Sequence, residues 1–471
     1  MADLASFAAV RDLIEERCGL RFDDTQRASL SSSVSARMQQ LALSGEEEYL
    51  SRLRGAAPTL VEAELRNLLN LVTVTETCFF RDGSQFHLLR EYIIPSLMAE
   101  RIARGQPKRI RIWSAGCSSG EEAYSIAITL DEMGLFLDPD WSIEIIGTDL
   151  NTKVLEKARR GVYSTRAVRN VEGMLLHDHF TRNEKLFALS DAIKKRVKFE
   201  FGNLTQTPMP STGPQDIVFC KNVTIYFRPE VTRRLIAGLH DTIAPDGFLL
   251  LGHAESLWQV SDRFTLVEHE RAFCYRKTQH IAPPPTSAVA QGFTPAPSEA
   301  LTQYDVCLAA FRAGDWDIAE STLTSLVAEC PTFVPGLLLL GGLYVHRGRF
   351  DDAMEQAEAA LKVSDLEPRA HLLCGMIAAR RRASEEAVQS LRRALYLDDS
   401  LALGHFWLGN LYRERGDVAR ACLEYENVVR DAARHTLELT EEFASDLTAD
   451  QLVAFCSDML ERLRGPLAGS R

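Results

Sequence analysis

The chain has 471 residues, more than one ordinary hydrophobic core takes, so two to four domains are expected. With 46% hydrophobic and 25% charged residues it reads as a globular protein, and it has no apolar run of about 18 residues that would suit a membrane span. A net charge of −12 argues against general nucleic-acid binding.

The first stretch, "MADLASFAAVRDLIEERCGL", carries acids early and no apolar core before a small-residue cleavage site, so it is not read as a signal peptide. Ten cysteines are scattered singly, without C-x-x-C or zinc-ligand spacing, which fits a reduced cytoplasmic protein with no metal. Residues 1–75 show helical apolar spacing in "SFAAVRDLIEERCGL", "TQRASLSSSVSARMQQLAL" and "LVEAELRNLLNLVT". A helical N-terminal domain is expected there.

From Arg109 the pattern changes. "RIRIWSAGC", "IEIIGTDL", "VKFEFGN", "DIVFCKN" and "GFLLLGH" are short strand-type runs, separated by helical stretches such as "EEAYSIAITLDEM", "TKVLEKARRG" and "PEVTRRLIAGLHDTI". That alternation predicts an α/β domain over 76–278, with a mostly parallel sheet covered on both faces. "FTLVEHERAFCYRK" reads as a closing antiparallel pair.

Residues 279–300 are rich in Pro, Ala, Ser and Thr and read as an extended linker. Beyond it Gly314, Gly348 and Gly416 are spaced by multiples of 34, with Arg382 in the missing place. Trp316, Phe350, Ser384 and Val418 keep the register, as do Ala319, Ala353, Ala387 and Ala421. Thirty-four residues is the period of tetratricopeptide (TPR) helix pairs. An all-α TPR array over 301–434 and a helical tail over 435–471 follow, with the third repeat degenerate at Arg382 and Ser384.

The chemistry concentrates in the middle domain. "RIWSAGCSSGEEAYSIAITL", from Arg111 to Leu130, has the strand–turn–helix layout of a nucleotide loop. It lacks the G-x-G-x-x-G fingerprint and the Gly-Lys-Ser/Thr of a P-loop, and offers no basic side chain to a phosphate. Gly116 and Gly120 allow backbone approach, and Glu121 or Glu122 can receive a cation. S-adenosylmethionine, with a sulfonium, an ammonium and no phosphate, suits such a loop; a plain tight turn is the alternative. Asp149, at the end of "IEIIGTDL", is placed to accept ribose hydroxyls or to cap the helix after Asn151. Asn203 lies on the carboxyl edge near an adenine or serves as a turn asparagine. Asn222 and Tyr226 follow the strand "DIVFCKN", on the edge where open α/β sheets bind ligands. Arg81 follows paired phenylalanines in "NLVTVTETCFFRDGSQFHLL" and by itself is better suited to a surface salt bridge.

The elements "TVTETCFFRD", "WSAGCSSGEEAYSIAITL", "GTDLNTKVLEKARRGVYS", "FGNL", "FCKNVTIYF" and "GHAESL" occur in an order that resembles the CheR-type chemotaxis-receptor glutamate methyltransferases, over about residues 5–278. The resemblance implies a Rossmann-like class I methyltransferase domain behind an all-α domain, and methyl transfer from S-adenosylmethionine to glutamate side chains on the cytoplasmic helices of chemoreceptors. It places Thr75, Thr77, Arg81, Asp149, Asn203, Leu204, Lys221 and Asn222 on cofactor-binding positions, together with one of Glu121 and Glu122; the loop reading adds Gly116 to the cofactor-binding set. Tyr226, in the family's "NVxIYF" stretch, falls near the transferred methyl, and Tyr226 and Arg81 are assigned to orienting the reacting groups. Thr75 stands where many relatives have asparagine, and Lys221 where they have arginine.

A glutamate carboxylate is ionised at neutral pH and needs no general base, which agrees with the absence of a Ser/His/Asp or Cys/His set. Within the N-terminal domain, residues 25–44 carry Arg27 and Arg37 and no acid, so this helix is expected to dock the acidic receptor. The insert at 164–198 lacks a glycine in its turn region and is not expected to grip a receptor tail peptide. The TPR array is expected to bind a further protein, either recruiting the enzyme or restraining it. Two other classes remain: a TPR scaffold with an inactive methyltransferase domain, and a small-molecule methyltransferase.

Overall fold

A computed structural model describes residues 2–22, 27–55, 58–206, 209, 213–253, 255–270, 272–277, 298–434, 443 and 448–464. Two compact units result: Met1–Glu255 with Arg263–His280, and Ser256–Asp262 with Ile281–Arg471. The expected linker lies outside the described residues, apart from its last few positions.

The first unit opens with α1 (Ala2–Cys18), α2 (Arg27–Gln40), α3 (Glu46–Leu53) and α4 (Pro58–Val72). Val10, Ile14, Leu30, Val34, Tyr49, Leu53, Leu68 and Leu69 form their common core. Arg37 of α2 does not face a partner as the docking reading requires. Its guanidinium grips Glu64 of α4 through Nε at 2.8 Å and Nη2 at 2.5 Å, and Tyr49 donates its hydroxyl to the same carboxylate at 2.8 Å. Both ends of this pair are buried, with side chains 11% and 5% exposed, so Arg37 holds α2 on α4.

Next come α5 (Gly83–Leu88) and α6 (Ile94–Ala103), then β1 (Arg109–Ala115), α7 (Glu121–Glu132), β2 (Ser142–Asp149) and α8 (Thr152–Arg160). An insert follows: β3 (Val162–Ser164), α9 (Gly173–His179), β4 (Phe180–Asn183), β5 (Leu186–Leu189) and α10 (Asp191–Lys194). The main sheet resumes with β6 (Val197–Phe201), β7 (Gln215–Cys220), α11 (Pro229–Thr242), β8 (Ile243–Leu251), β9 (Phe264–His269) and β10 (Ala272–Lys277).

Seven strands make one sheet in the order β6-β2-β1-β7-β8-β10-β9. The first five are parallel, and β10 pairs antiparallel with both β8 and β9, the closing pair expected from the sequence. β7 is buried along its whole length, as its unbroken apolar run requires when helices cover both faces. The chain winds outward from β1 to β2 and β6 on one side and to β7 and β8 on the other. The crevice at the carboxyl ends of β1, β2 and β7 is therefore the topological switch point, where such sheets bind ligands.

The insert forms a second sheet, β3-β5-β4. Its β4–β5 hairpin turns through Glu184 at φ 52°, a left-handed position held without a glycine. Phe79 joins the insert to the main body, edge-on to Tyr163 at 4.8 Å and to Phe180 at 5.1 Å.

The second unit carries α12 (Ser298–Ala313), α13 (Trp316–Glu329), α14 (Val334–His346), α15 (Phe350–Val363), α16 (Pro368–Arg380), α17 (Ser384–Leu397), α18 (Ala402–Glu414), α19 (Val418–Arg434) and α20 (Ala449–Arg464). The register read from the sequence maps onto geometry. Trp316, Phe350, Ser384 and Val418 each begin the second helix of a pair. Gly314, Gly348 and Gly416 turn the chain at φ 80°, 71° and 76°, and Arg382 makes the same turn at φ 63°. The third repeat thus keeps its turn at the steric cost of a Cβ in left-handed backbone. Ala319, Ala353, Ala387 and Ala421 are fully buried where the paired helices meet. A second small-residue register follows the same period: a Cβ on Gly341, Gly375 or Gly409 would come within 2.6–2.7 Å of a facing side chain.

Candidate active site

A cavity of about 220 Å³ opens at the switch point, and it is walled by the N-terminal domain as well as by the sheet. Among the predicted residues Thr77, Arg81, Gly116, Glu122, Asp149, Asn203, Leu204, Lys221, Asn222 and Tyr226 line it. Thr75 and Glu121 do not. Thr75 contributes its carbonyl, which accepts the Ser118 hydroxyl at 3.0 Å. Glu121 turns away to accept the Ser119 hydroxyl at 2.7 Å, with Lys157 Nζ 3.8 Å off.

The loop after β1 is shaped by its glycines. Gly116, at φ 82°, has no room for a side chain, since a Cβ would stand 2.6 Å from Val223. Gly120, at φ 89°, is pressed against Ala158 and Phe199. The Gly116 and Cys117 amides both donate to the Thr148 carbonyl, at 2.8 and 2.9 Å, so the loop is tied to the end of β2.

That end carries Asp149. Its carboxylate accepts from the Ser118 amide and the Asn151 amide, each at 2.8 Å. The helix cap is Asn151 instead, accepting from the Lys153 and Val154 amides. Of the two roles open to Asp149, capping is thus filled by a neighbour, and two amides hold the carboxylate while it lines the cavity. Burial pushes its carboxyl above the ordinary range.

Glu122 stands across the loop, accepting the Ser114 hydroxyl at 2.7 Å. Burial raises its carboxyl too, partly offset by the Lys221 ammonium. Lys221 is itself committed: its side chain is buried, and Nζ sits 2.5 Å from Asp82, which also faces His253 at 3.2 Å. Asp82 therefore pairs with the lysine, and although burial raises its carboxyl, the His253 hydrogen bond and the Lys221 ammonium together hold it well below the usual range. Two desolvated carboxylates, Glu122 and Asp149, thus face a cavity whose lysine is already paired, and Arg21, Arg81 and Glu76 line it as well. The end of the cavity that holds Glu122 and Asp149 suits a ligand with a cationic centre and hydroxyls.

Asn203 takes the turn role left open by its sequence position. Its Oδ1 accepts from the Thr205 amide at 3.0 Å and hydroxyl at 2.8 Å, and its Nδ2 donates to the Arg17 carbonyl at 3.1 Å. Tyr226 closes a short 3-10 turn, Thr224–Tyr226, and is half-buried. Its hydroxyl has no hydrogen-bond partner among the described residues. Arg81 lies near enough to lower the phenol's pKa against the larger raising effect of burial.

Sequence reading missed three contributors. The segment from Cys18 to Phe22 supplies Cys18, Leu20, Arg21 and Phe22 to the wall. Asp82 neutralises Lys221, and Glu255 organises the loop after β7. Asp82 and Glu255 sit inside quoted motifs, but the segment from Leu20 to Phe22 carried no signal, because its place depends on how the domains pack. Among the described residues no group of His, Cys, Asp and Glu is arranged to hold a metal ion, and no helix is long and apolar enough to cross a membrane.

Comparison with known proteins agrees with this geometry. Residues 75–273 match the SAM binding domain of CheR methyltransferases, residues 5–73 match the all-alpha domain of the same family, and residues 338–402 match a tetratricopeptide repeat. Chemotaxis protein methyltransferase 2 of Vibrio cholerae is 32% identical over 273 residues, covering 58% of this chain and 92% of the relative. The chemotaxis protein methyltransferase of Escherichia coli is 31% identical over 266 residues, covering 56% and 88%. A longer match joins the repeats to the enzyme: the probable biofilm formation methyltransferase WspC of Pseudomonas aeruginosa is 29% identical over 422 residues, covering 87% of this chain and 95% of that one. The fold, the two matched domains and these relatives together show that the chain belongs to the CheR methyltransferase family and carries a C-terminal TPR array.

Proposed function

We propose that the protein methylates glutamate side chains on the cytoplasmic helices of chemoreceptor-type signalling proteins, giving glutamate methyl esters, with S-adenosylmethionine as methyl donor. The observation that carries the reading is the pair of desolvated carboxylates, Glu122 and Asp149, in a switch-point cavity whose one buried ammonium is already paired with Asp82. Glu122 receives the cofactor's ammonium and Asp149 its ribose hydroxyls. Gly116 lets the backbone approach, and Leu204 and Asn203 bound the adenine end. The bound cofactor supplies an electrophilic sulfonium methyl.

The remaining work falls to positioning, because the acceptor carboxylate is already ionised. Arg81 and the Tyr226 hydroxyl orient the incoming glutamate. The wall from Leu20 to Phe22 helps to exclude water from that carboxylate. The TPR array binds a separate protein partner and raises the local concentration of enzyme at its receptor.

Incubation of the full chain with labelled S-adenosylmethionine and receptor-containing membranes tests the reading. Label in base-labile protein ester is the expected result. Cofactor binding without ester points to a small-molecule acceptor, and absence of cofactor binding to a scaffold. The long match to a probable biofilm formation methyltransferase supports trying a biofilm-pathway receptor first.

A further inference from the structure

The motif "GHAESL" after β8 contains a carboxylate that touches neither the cavity nor any cation in a salt bridge among the described residues. Glu255 is 3% exposed. Its Oε1 accepts from the Val223 amide at 2.8 Å, the Thr224 amide at 2.7 Å and the Thr224 hydroxyl at 2.8 Å. Its Oε2 accepts from the Asn222 amide at 2.5 Å and the Gly252 amide at 2.8 Å. Three consecutive amides thus converge on one carboxylate, an anion nest closed by side-chain oxygens instead of a ligand.

The nest fixes an otherwise costly conformation. Asn222 sits at φ 57°, left-handed for a residue with a Cβ. Gly252 must lack a side chain for the carboxylate to reach: a Cβ there would stand 2.7 Å from Glu255 Oε2 and 2.9 Å from Asn222 Nδ2. The loop so held places three groups on the cavity: Asn222, Val223 against Gly116, and Tyr226 two residues past Thr224. Five donors fill a carboxylate that offers about four lone-pair sites, so Glu255 has no capacity left for substrate or cofactor.

We propose that Glu255 is a positioning residue for methyl transfer, acting through Tyr226 by locking the Asn222–Tyr226 loop; this rests on the methyltransferase reading above. Glu255→Gln keeps the shape but turns an NH2 group toward two N–H donors. In the full chain, at saturating S-adenosylmethionine and well below the melting midpoint, kcat on receptor membranes is expected to fall about a hundredfold, the loss that a displacement of about 1 Å brings. S-adenosylhomocysteine affinity should fall less.

The deciding readout is a double-mutant cycle with Tyr226→Phe. If Glu255 acts through Tyr226, the double variant is about as slow as the slower single one. Losses that multiply, or an unchanged kcat in folded Glu255→Gln, overturn the proposal. Should Glu255→Gln fail to fold, Thr224→Val removes one donor from the same oxygen and is expected to slow turnover about three- to tenfold; unchanged turnover there also overturns it. Wild-type protein run alongside separates the two levels. Wild type that forms no ester sinks the methyltransferase reading, whereas active wild type beside equally active variants sinks only the role of Glu255.

Discussion

The Arg21 amide donates to the Tyr226 carbonyl at 2.8 Å, so a residue just past the first helix of the N-terminal domain is bonded directly to the loop that carries the candidate catalytic tyrosine. Leu20 bridges Phe227 beside it, and the Arg228 guanidinium reaches Glu15. The N-terminal domain is thus a wall of the site. A protein of residues 76–278 is expected to lose most of its S-adenosylhomocysteine affinity, whereas residues 1–278 keep it and methylate receptor in vitro. Calorimetry of the two truncations checks this. Equal affinity would take the N-terminal domain out of the cofactor site.

Asp149→Ala removes a charged acceptor that Ser118 and Asn151 hold in place. A loss of about 1.5–3 kcal/mol in cofactor binding is expected, the usual range for a hydrogen bond to a charged group. Titration with S-adenosylmethionine measures it, and a folded variant of unchanged affinity takes Asp149 out of the site.

Tyr226→Phe deletes only a hydroxyl that has no partner among the described residues. Stability should hardly change, and turnover should fall more than cofactor affinity, because the hydroxyl is assigned to the reacting end. Normal turnover would return Tyr226 to packing.

Cofactor binding should depend on pH through Glu122 and Asp149. Both carboxyls are raised by burial, and only the ionised forms suit their roles, Glu122 receiving the ammonium and Asp149 accepting the ribose hydroxyls. Protonated fractions grow as pH falls through the raised pKa values, so affinity weakens on acidification and binding releases protons. Calorimetry between about pH 5 and pH 7 in buffers of different ionisation enthalpy detects the release. Glu122→Gln should leave only the share due to Asp149. Affinity that is flat across this range in the wild type would argue against both assignments.

Arg37→Ala should act on stability before docking. It leaves Glu64 buried without its cation, which costs on the order of 3–5 kcal/mol in comparable sites. A melting curve tests this; a variant of unchanged stability with weakened receptor binding would restore Arg37 to the docking face.

Local rules carried a great deal of this molecule. The period-34 register of glycine, alanine and helix-start residues needed no three-dimensional information, because each TPR turn and close contact is made between residues near in sequence. The strand–turn–helix of β1 and α7, with Gly116 and the acids after it, was legible for the same reason. The closing β9–β10 pair was too. What folding alone decided is which charges remain available. Glu121 and Glu122 are neighbours in sequence, yet the first residues of α7 point in different directions, and only Glu122 reaches the cavity. Arg37 and Lys221 read as cations ready for a ligand until packing brought Glu64 and Asp82 against them. Leu20 to Phe22 and Glu255 act through partners about two hundred and about thirty residues away. Periodicity reports which face of an element is buried; it carries no information about which distant group will meet a charge there, and burial of that charge makes the meeting obligatory.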